Sequence, residues 1–270
     1  MTEQDIYKAV TAFRAKHPDY PRPDIKAALI DMDGTLYDSM PLHAVAWHRL
    51  ASELGINAPR EEFFMYEGMT GVATLAYLFK RDFGRVPSDE TLRDLYQRKT
   101  MYFNELMGFD PERDSKETFV PNVKPMPGAR QVVKYLREVG ITPVLVTGSG
   151  QRTVLDKLDS DYDHAFPANL RVTSHDVKHG KPDPEPYLIG LEKVGVKPWQ
   201  AIVLENAPLG VESGARAGIF TIAVATGPIP KKALTDAGAD IVFKSMPECA
   251  EDMPTLIKAL SADESDNNVH

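Results

Sequence analysis

The sequence predicts an α/β protein with a parallel sheet as its core and a small helical segment inserted after the first strand. Short apolar runs typical of buried strands occur at Ala27 to Ile30, Ile141 to Val146 and Ala201 to Leu204. Strand and helix alternate from Pro127 onward, as in parallel sheets. Because the periodic segments between Pro41 and about Leu106 all read as helical, we expect an all-helical cap on a Rossmann-like core.

The N-terminal segment stands outside this alternation. Apolar spacing from Thr2 to Lys16 predicts an amphipathic helix, with Thr2 and Asp5 in a capping arrangement. A proline-containing linker, His17 to Asp24, leads to the first strand. We expect residues 1–24 to form an accessory helix and linker without chemistry of their own.

The other boundaries follow from composition and periodicity. The predicted domains are the sheet core in 25–40 and 120–260, the helical cap with its return linker in 41–119, and a disordered polar tail in 261–270. The predicted cap helices are Leu42 to Leu54, Val72 to Phe83 and Leu92 to Leu106, the last preceded by a helix start at Ser88.

Composition limits the classes of function. A chain of 270 residues with 43% hydrophobic content can bury a sizeable core, and its formal net charge of -8 disfavours nucleic acid as a partner. The single cysteine, Cys249, has no partner for a disulfide, which fits a cytoplasmic location. We find no leader-like segment and no run apolar enough to cross a bilayer, and so expect no membrane association.

The run Asp31-Met32-Asp33-Gly34-Thr35 closes the first predicted strand. Alternate side chains of an extended segment share a face, so Asp31 and Asp33 can both face one reacting centre while Met32 turns away. Gly34 permits a sharp turn, and we expect the Thr35 hydroxyl to bond to the local backbone. One carboxylate could attack while the other moves protons. Taken alone, the motif is equally compatible with an ordinary Asp-Gly turn.

Three later segments place further polar groups at the same predicted sheet edge. Thr147 to Gly150 follows a strand and offers hydroxyls and backbone N–H groups to an anion, while Lys181 lies in a proline-rich loop before a helix. Glu205 and Asn206 close another strand, and oxygen ligands beside an aspartate pair suggest Mg²⁺. A dinucleotide fingerprint starting at Gly148 is incomplete, because Thr153 replaces its third glycine.

Together these motifs, in this order, resemble the haloacid dehalogenase superfamily of aspartyl phosphotransferases, and within it the β-phosphoglucomutase-like branch. The resemblance implies that Asp31 is the nucleophile and Asp33 the general acid/base. It also implies that Thr147 and Lys181 hold phosphoryl oxygens, with Ser149 as a further phosphate contact. The dehalogenases of the superfamily lack the second aspartate, so the resemblance favours phosphoryl chemistry.

The same resemblance implies a Mg²⁺ site. Its ligands would be Asp31, the backbone carbonyl of Asp33 and Asn206, with Glu205 acting through a water or behind the direct ligands. Most members have aspartate where this chain has Asn206. The site therefore lacks one negative charge unless another carboxylate replaces it.

A cap residue, Glu67, is the candidate replacement. Sugar-phosphate mutases of the branch have a basic stretch where this chain has Glu67 and Gly71, which argues against a mutase. Glu67 and the sequence Glu205-Asn206-Ala207-Pro208 together resemble the inorganic pyrophosphatase of the branch, in which a cap glutamate reaches the metal. The alternative for Glu67 is a solvated acid at a helix end.

Two other cap residues have two interpretations each. By resemblance Lys99 would bind the leaving phosphate, although a surface lysine is equally compatible with its position. His43 resembles a position that faces the site, and a histidine hydrogen-bonded at the domain interface is the alternative.

The function expected from these residues is a Mg²⁺-dependent phosphohydrolase that acts on inorganic pyrophosphate through an aspartyl-phosphate. The alternatives are a broad phosphatase of small phosphomonoesters such as sugar phosphates, a phosphomutase, and a non-catalytic phosphate-binding relative. The expected partner is thus a small phosphate compound. The oligomeric state stays open, and a monomer is a plausible state.

Overall fold

The structure, a computed structural model, describes residues 1–21, 24–110, 112, 114, 121–150 and 152–262. Within these residues one six-stranded sheet has the order β3-β2-β1-β4-β5-β6, and every pairing is parallel. The strands are β1 Ala27–Ile30, β2 Thr142–Val146, β3 Arg171–Val172, β4 Ala201–Glu205, β5 Phe220–Val224 and β6 Ile241–Phe243. The predicted α/β class is confirmed.

Helices cover both faces of this sheet and form the insertion. The α-helices are α1 Glu3–Lys16, α2 Met40–Glu53, α3 Gly71–Phe83, α4 Asp89–Leu106, α5 Ala129–Glu138, α6 Arg152–Asp161, α7 Glu185–Val194, α8 Pro208–Arg216, α9 Lys231–Asp236 and α10 Met246–Ser261. Short 3-10 helices occupy Arg60–Tyr66, Ala168–Leu170 and Pro198–Gln200.

Strand β1 lies at the centre of the sheet, flanked by β2 and β4. All four of its residues are fully buried, as expected for a strand covered on both faces. Ile30 pairs with both Leu145 and Leu204. Because this register aligns the carboxyl ends of the three strands, the polar residues that follow them meet at one edge.

The segment that we call the cap, residues 40–106, folds around a cluster of its own. Ala44, Phe63 and Leu78 are buried in that cluster. Ser88 caps α4 by accepting a hydrogen bond from the N–H of Thr91 at 3.3 Å, in agreement with the predicted helix start. The limits 41–119 assigned from the sequence to the cap with its return linker stay a prediction.

Helix α1 packs on the core through the face that the sequence indicates. Ile6, Val10 and Phe13 are buried, and the Phe13 ring meets Phe220 of β5 edge-on at 5.2 Å. The Thr2 side chain and Asp5 form the expected capping box.

Some sequence expectations fall outside the described residues. They are the tail beyond residue 262, Pro23 in the first linker, and residues 111, 113 and 115–120 of the return linker. In the part of the chain that is described, no helix combines the length and apolar character needed to cross a membrane.

Candidate active site

Asp31 lies at the end of β1 and is 3% exposed. Its N–H donates to the carbonyl of Leu204 at 3.0 Å, which fixes the backbone beside β4. Met32 turns into the hydrophobic core, as expected. Burial, with the negative charge of Glu205, raises the pKa of Asp31 to about 8, although the Lys181 ammonium opposes the shift. One oxygen, Oδ2, has no hydrogen-bond partner among the described residues.

Lys181 is held between two carboxylates. Its Nζ donates to Asp31 Oδ1 and Glu205 Oε1, each at 2.5 Å, and to the Val146 carbonyl at 3.1 Å. Burial lowers the pKa of this lysine, but the two carboxylates outweigh burial and raise it. Lys181 is therefore a fixed positive charge directly beside Asp31.

Glu205 serves as the anchor of that lysine. Its Oε1 also accepts from the Tyr187 hydroxyl at 2.8 Å, and its Oε2 accepts from the N–H groups of Asn206 and Ala207 at 3.0 and 3.4 Å. Because both oxygens are already occupied, Glu205 is suited to a position behind the direct ligands. Sequence reasoning did not single out Tyr187, which is buried on α7.

Asp33 is hydrogen-bonded from the start of the cap. Ser39 Oγ donates to Asp33 Oδ1 at 2.6 Å, and His43 Nε2 lies 3.2 Å from the same oxygen. Burial tends to raise the pKa of Asp33, but His43 and Ser39 lower it overall. Ser39 was missed because its place before α2 suggests a helix cap. Its side chain makes no cap hydrogen bond.

Thr147 and Ser149 follow β2 and are both buried beside the aspartates. Thr147 Oγ1 accepts a hydrogen bond from the Ser149 N–H at 3.0 Å, which shapes the loop. A Cβ at Gly148 would lie 2.6 Å from the Gly68 carbonyl. Only glycine thus lets the cap approach this loop so closely.

Glu67 enters the site from the cap and is 8% exposed, so the solvated-acid interpretation is wrong. Asn206 Nδ2 donates to Glu67 Oε2 at 3.0 Å, whereas Glu67 Oε1 lacks a partner among the described residues. Burial and the charge of Asp31 raise the pKa of Glu67 well above its usual value. Thr35 Oγ1 donates to Asn206 Oδ1 at 3.0 Å. The prediction that the Thr35 hydroxyl bonds to the local backbone is therefore wrong.

Lys99 is 1% exposed, which rules out the surface-lysine interpretation. Its Nζ lies 2.5 Å from His43 Nδ1 and about 5 Å from the ring centroids of Trp47 and Phe103. Burial lowers the pKa of Lys99 to about 7, partly offset by Asp33. Burial and the Lys99 charge also lower the pKa of His43. Because Lys99 Nζ donates to Nδ1, we assign the ring proton to Nε2, which donates to Asp33.

These side chains surround a catalytic cavity of about 60 Å³ between core and cap. Asp31, Asp33, Glu67 and Lys99 are among its lining residues. At Gly71, a Cβ would lie 2.0 Å from the Tyr96 ring. The cap therefore has no room for a larger side chain at Gly71 unless Tyr96 moves.

Two unpaired oxygen atoms at the cavity fit Mg²⁺. These buried carboxylate oxygens, Asp31 Oδ2 and Glu67 Oε1, are without hydrogen-bond partners in the described part of the chain, and both residues line the cavity. That part of the chain holds no cluster of three or more His, Cys, Asp or Glu side chains suited to a metal. A cation here would thus also depend on amide, backbone or substrate oxygens.

Residues 25–218 match the model of the haloacid dehalogenase-like hydrolases. The phosphorylated carbohydrates phosphatase of Thermotoga maritima is 32% identical over 224 residues, covering 82% of this chain and 94% of the relative. Hexitol phosphatase A of Escherichia coli is 31% identical over 199 residues, covering 74% and 82%.

Among solved structures, a Bacteroides vulgatus protein provisionally assigned as a beta-phosphoglucomutase superposes with a TM-score of 0.87. It is 42% identical, and the match covers 97% of this chain and 100% of that one. The resemblance seen in the motifs thus extends over the whole fold. Members of the matched family generally use Mg²⁺. The chain belongs to the haloacid dehalogenase-like hydrolase family.

Proposed function

We propose that this protein hydrolyses a small phosphate compound through a phosphoryl group carried on Asp31. The buried Asp31 carboxylate, held 2.5 Å from the Lys181 ammonium, supports this proposal most directly. A carboxylate at a strand end beside a fixed cation is placed to attack an anionic phosphorus centre.

The core side chains have separate roles in the reaction. Asp31 attacks phosphorus in line, while Lys181 and the Thr147 and Ser149 loop hold the phosphoryl oxygens, over which the transition-state charge is spread. Asp33 protonates the leaving oxygen and then takes a proton from the water that hydrolyses the aspartyl-phosphate. The hydrogen bonds from Ser39 and His43 orient Asp33 for both steps.

Asp31, Asn206 and Glu67, with the backbone carbonyl of Asp33, would hold Mg²⁺. When bound, the ion offsets the repulsion between the anionic nucleophile and the anionic substrate. Asn206 also permits the cap to close, because its amide donates to Glu67 at 3.0 Å. An aspartate there would set two carboxylates against each other.

Inorganic pyrophosphate is the substrate that the geometry supports best. The supporting observation is the burial of Glu67, a cap carboxylate, beside Asn206 in a cavity of only about 60 Å³. Pockets for drug-sized ligands have roughly 300–1,000 Å³. Lys99 and His43 at the cap side of the cavity are suited to a leaving phosphate.

Small phosphomonoesters are the second candidate, favoured by the relatives. Both curated relatives described above are named as phosphatases of carbohydrate or hexitol phosphates. These names support a phosphomonoester substrate better than pyrophosphate, and an opened cap would admit the larger leaving group. The tight packing of Gly71 against Tyr96 argues against a mutase. The intact set of Asp31, Asp33 and Lys181 argues against a non-catalytic relative.

The experiment compares kcat/KM for pyrophosphate and for a hexitol phosphate in the parent and in Glu67→Gln. If pyrophosphate is the substrate, the parent protein has the higher kcat/KM for pyrophosphate. Glu67→Gln then lowers kcat/KM for pyrophosphate about 100-fold and changes kcat/KM for the hexitol phosphate less than about threefold. Glu61→Gln is the matched control, because Glu61 is exposed in the 3-10 helix that ends just before Glu67.

The same measurements can contradict each part of the proposal. A parent that prefers the hexitol phosphate, or an unchanged ratio in Glu67→Gln, supports the phosphomonoester phosphatase. Release of no free phosphate from either substrate contradicts phosphohydrolase activity.

A further inference from the structure

A second cavity, of about 260 Å³, is lined by Glu67 and Asn206 among other residues. We call it the outer cavity. Phe64 of the cap and Gly227, which follows β5, are among the residues that line it. Glu67 and Met40 line both cavities. The hydrogen bond between Glu67 and Asn206 therefore stands where the two spaces meet.

The charges of the two cavities differ. Lys99 and His43 line the catalytic cavity beside its carboxylates, so it can accept an anion. Among the described residues that line the outer cavity, the ionisable side chains are the carboxyl groups of Asp38 and Glu67. The outer cavity thus disfavours phosphate and favours a cation.

The outer cavity is also the larger of the two, at about 260 Å³ against about 60 Å³ for the catalytic cavity. Because Mg²⁺ loses its waters reluctantly, the larger cavity is better suited to the ion with its hydration shell.

A buried carboxyl group, that of Glu67, lies at the inner end of the outer cavity. Glu67 is 8% exposed, and its Oε1 has no hydrogen-bond partner within the described residues. At the outer end of the cavity, Asp38 is exposed to solvent. A cation that enters past Asp38 would thus reach a carboxylate oxygen able to replace one of its waters.

We infer that the outer cavity is a transient site for a hydrated divalent cation and its passage to the catalytic site while the cap is closed. This inference rests on the metal site of the proposed function and does not depend on the identity of the substrate. The cation passes between Phe64 and Gly227, which line the outer cavity and not the catalytic one.

The first test narrows the passage. A Cβ at Gly227 would lie 3.6 Å from the Phe64 ring, an ordinary contact, so side chains are tolerated there. Gly227→Leu fills the space, whereas Gly227→Ala leaves most of it open and serves as the control. Association and dissociation of Mn²⁺ are measured on the substrate-free protein by stopped flow and water-proton relaxation.

For Gly227→Leu we expect both rates to fall at least about fivefold while the equilibrium Kd stays within about threefold of the parent, as for a blocked route. Gly227→Ala should behave like the parent. Parent-like rates in Gly227→Leu overturn the inference. Faster exchange with weaker binding also overturns it, because metal would then enter by opening of the cap.

The second test removes the charge of the outer end. Asp38→Asn should lower the Mn²⁺ association rate about threefold at low salt and much less at high salt, since steering by an exposed charge is screened. Glu138→Gln makes the same change of net charge on exposed α5 and should have no such effect. Equal rates in both variants overturn the inference. A parent that binds no Mn²⁺ overturns both the inference and the proposed metal site.

Discussion

The core side and the cap side of the candidate site are built in different ways. On the core side, Asp31 and Thr147 directly follow β1 and β2, Glu205 ends β4, and the register of these parallel strands brings the three residues together. On the cap side, Glu67 and Lys99 come from a 3-10 helix end and from α4, and they meet the core only because the cap packs on it.

This difference separates the chemistry from its selectivity. The core residues form these contacts with one another within one sheet edge, so no cap side chain is needed to hold the nucleophile beside its lysine. The cap residues are buried and carry shifted pKa values. Burying these ionisable side chains costs folding free energy, and a bound metal and an anionic substrate can offset that cost.

The largest effect should come from the core side. Asp31→Asn keeps the shape of the side chain but cannot attack phosphorus, so kcat should fall at least about 1,000-fold for either substrate. Steady-state phosphate release measures this loss, with circular dichroism to verify the fold. Turnover within tenfold of the parent would remove Asp31 as nucleophile and leave the comparison without its basis.

On the cap side, Lys99→Met should lower the activity and raise the stability of the protein. Loss of the ammonium that faces the leaving group should lower kcat/KM about 10- to 100-fold. Because burial lowers the pKa of Lys99 to about 7, its charge destabilises the protein at and below neutral pH, and the cost fades as pH rises toward the unfolded value. The Tm at pH 6.5 should therefore rise by a few degrees, as measured by calorimetry.

Arg93→Met is the control for Lys99, because Arg93 is exposed on the same helix. It should change neither activity nor Tm appreciably. If Lys99→Met were equally silent, or if it lowered Tm while sparing activity, the lysine would be a packing residue and not a substrate contact.

The junction between the two sides can be tested at Asn206. Asn206→Asp adds a negative charge among the proposed ligands and should lower the Kd for Mn²⁺ about tenfold, as measured by calorimetric titration. Thr35→Val serves as the uncharged control, since it removes only the hydroxyl that holds the Asn206 amide. Unchanged or weaker binding in Asn206→Asp would mean that this side chain does not face the ion.

The last prediction concerns the pH dependence of stability without metal. Glu67 has a raised pKa in the folded protein, so the stability due to its protonated form is complete below about pH 4.5 and is lost as pH rises. In EDTA, the Tm of Glu67→Gln should exceed that of the parent increasingly from pH 5 to pH 8, with at most about 1.4 kcal/mol for each pH unit. Added Mg²⁺ should reduce this gap. A gap that does not depend on pH would show that Glu67 is not held in a desolvated place.

Several structural features could be predicted from sequence because they depend on local order. Buried strands appear as apolar runs, and a helix start such as Ser88 depends on a hydroxyl close to its own backbone. The polar residues after each strand could then be assigned to one edge. The two alternatives for Lys99 could not be separated, since a lysine on a helix gives no sign of the domain that will cover it.

The contacts between side chains could not be predicted from the sequence. Thr35 and Ser39 each have an obvious local partner, but their hydroxyls donate to Asn206 and Asp33 instead. Local bonds are what sequence spacing predicts. Partners in these two cases depend on how the loops and the cap meet, which is a matter of packing.

The sequence by itself determined the parallel α/β core, the helical insertion and the order of polar residues at the strand ends, because strand burial and backbone direction depend on near neighbours. The tertiary structure alone decided that Glu67 reaches Asn206, that Lys99 is buried on His43, and that a second cavity adjoins the first. The physical reason is that domain closure brings together groups far apart in the chain, and their burial and pKa values depend on that closure.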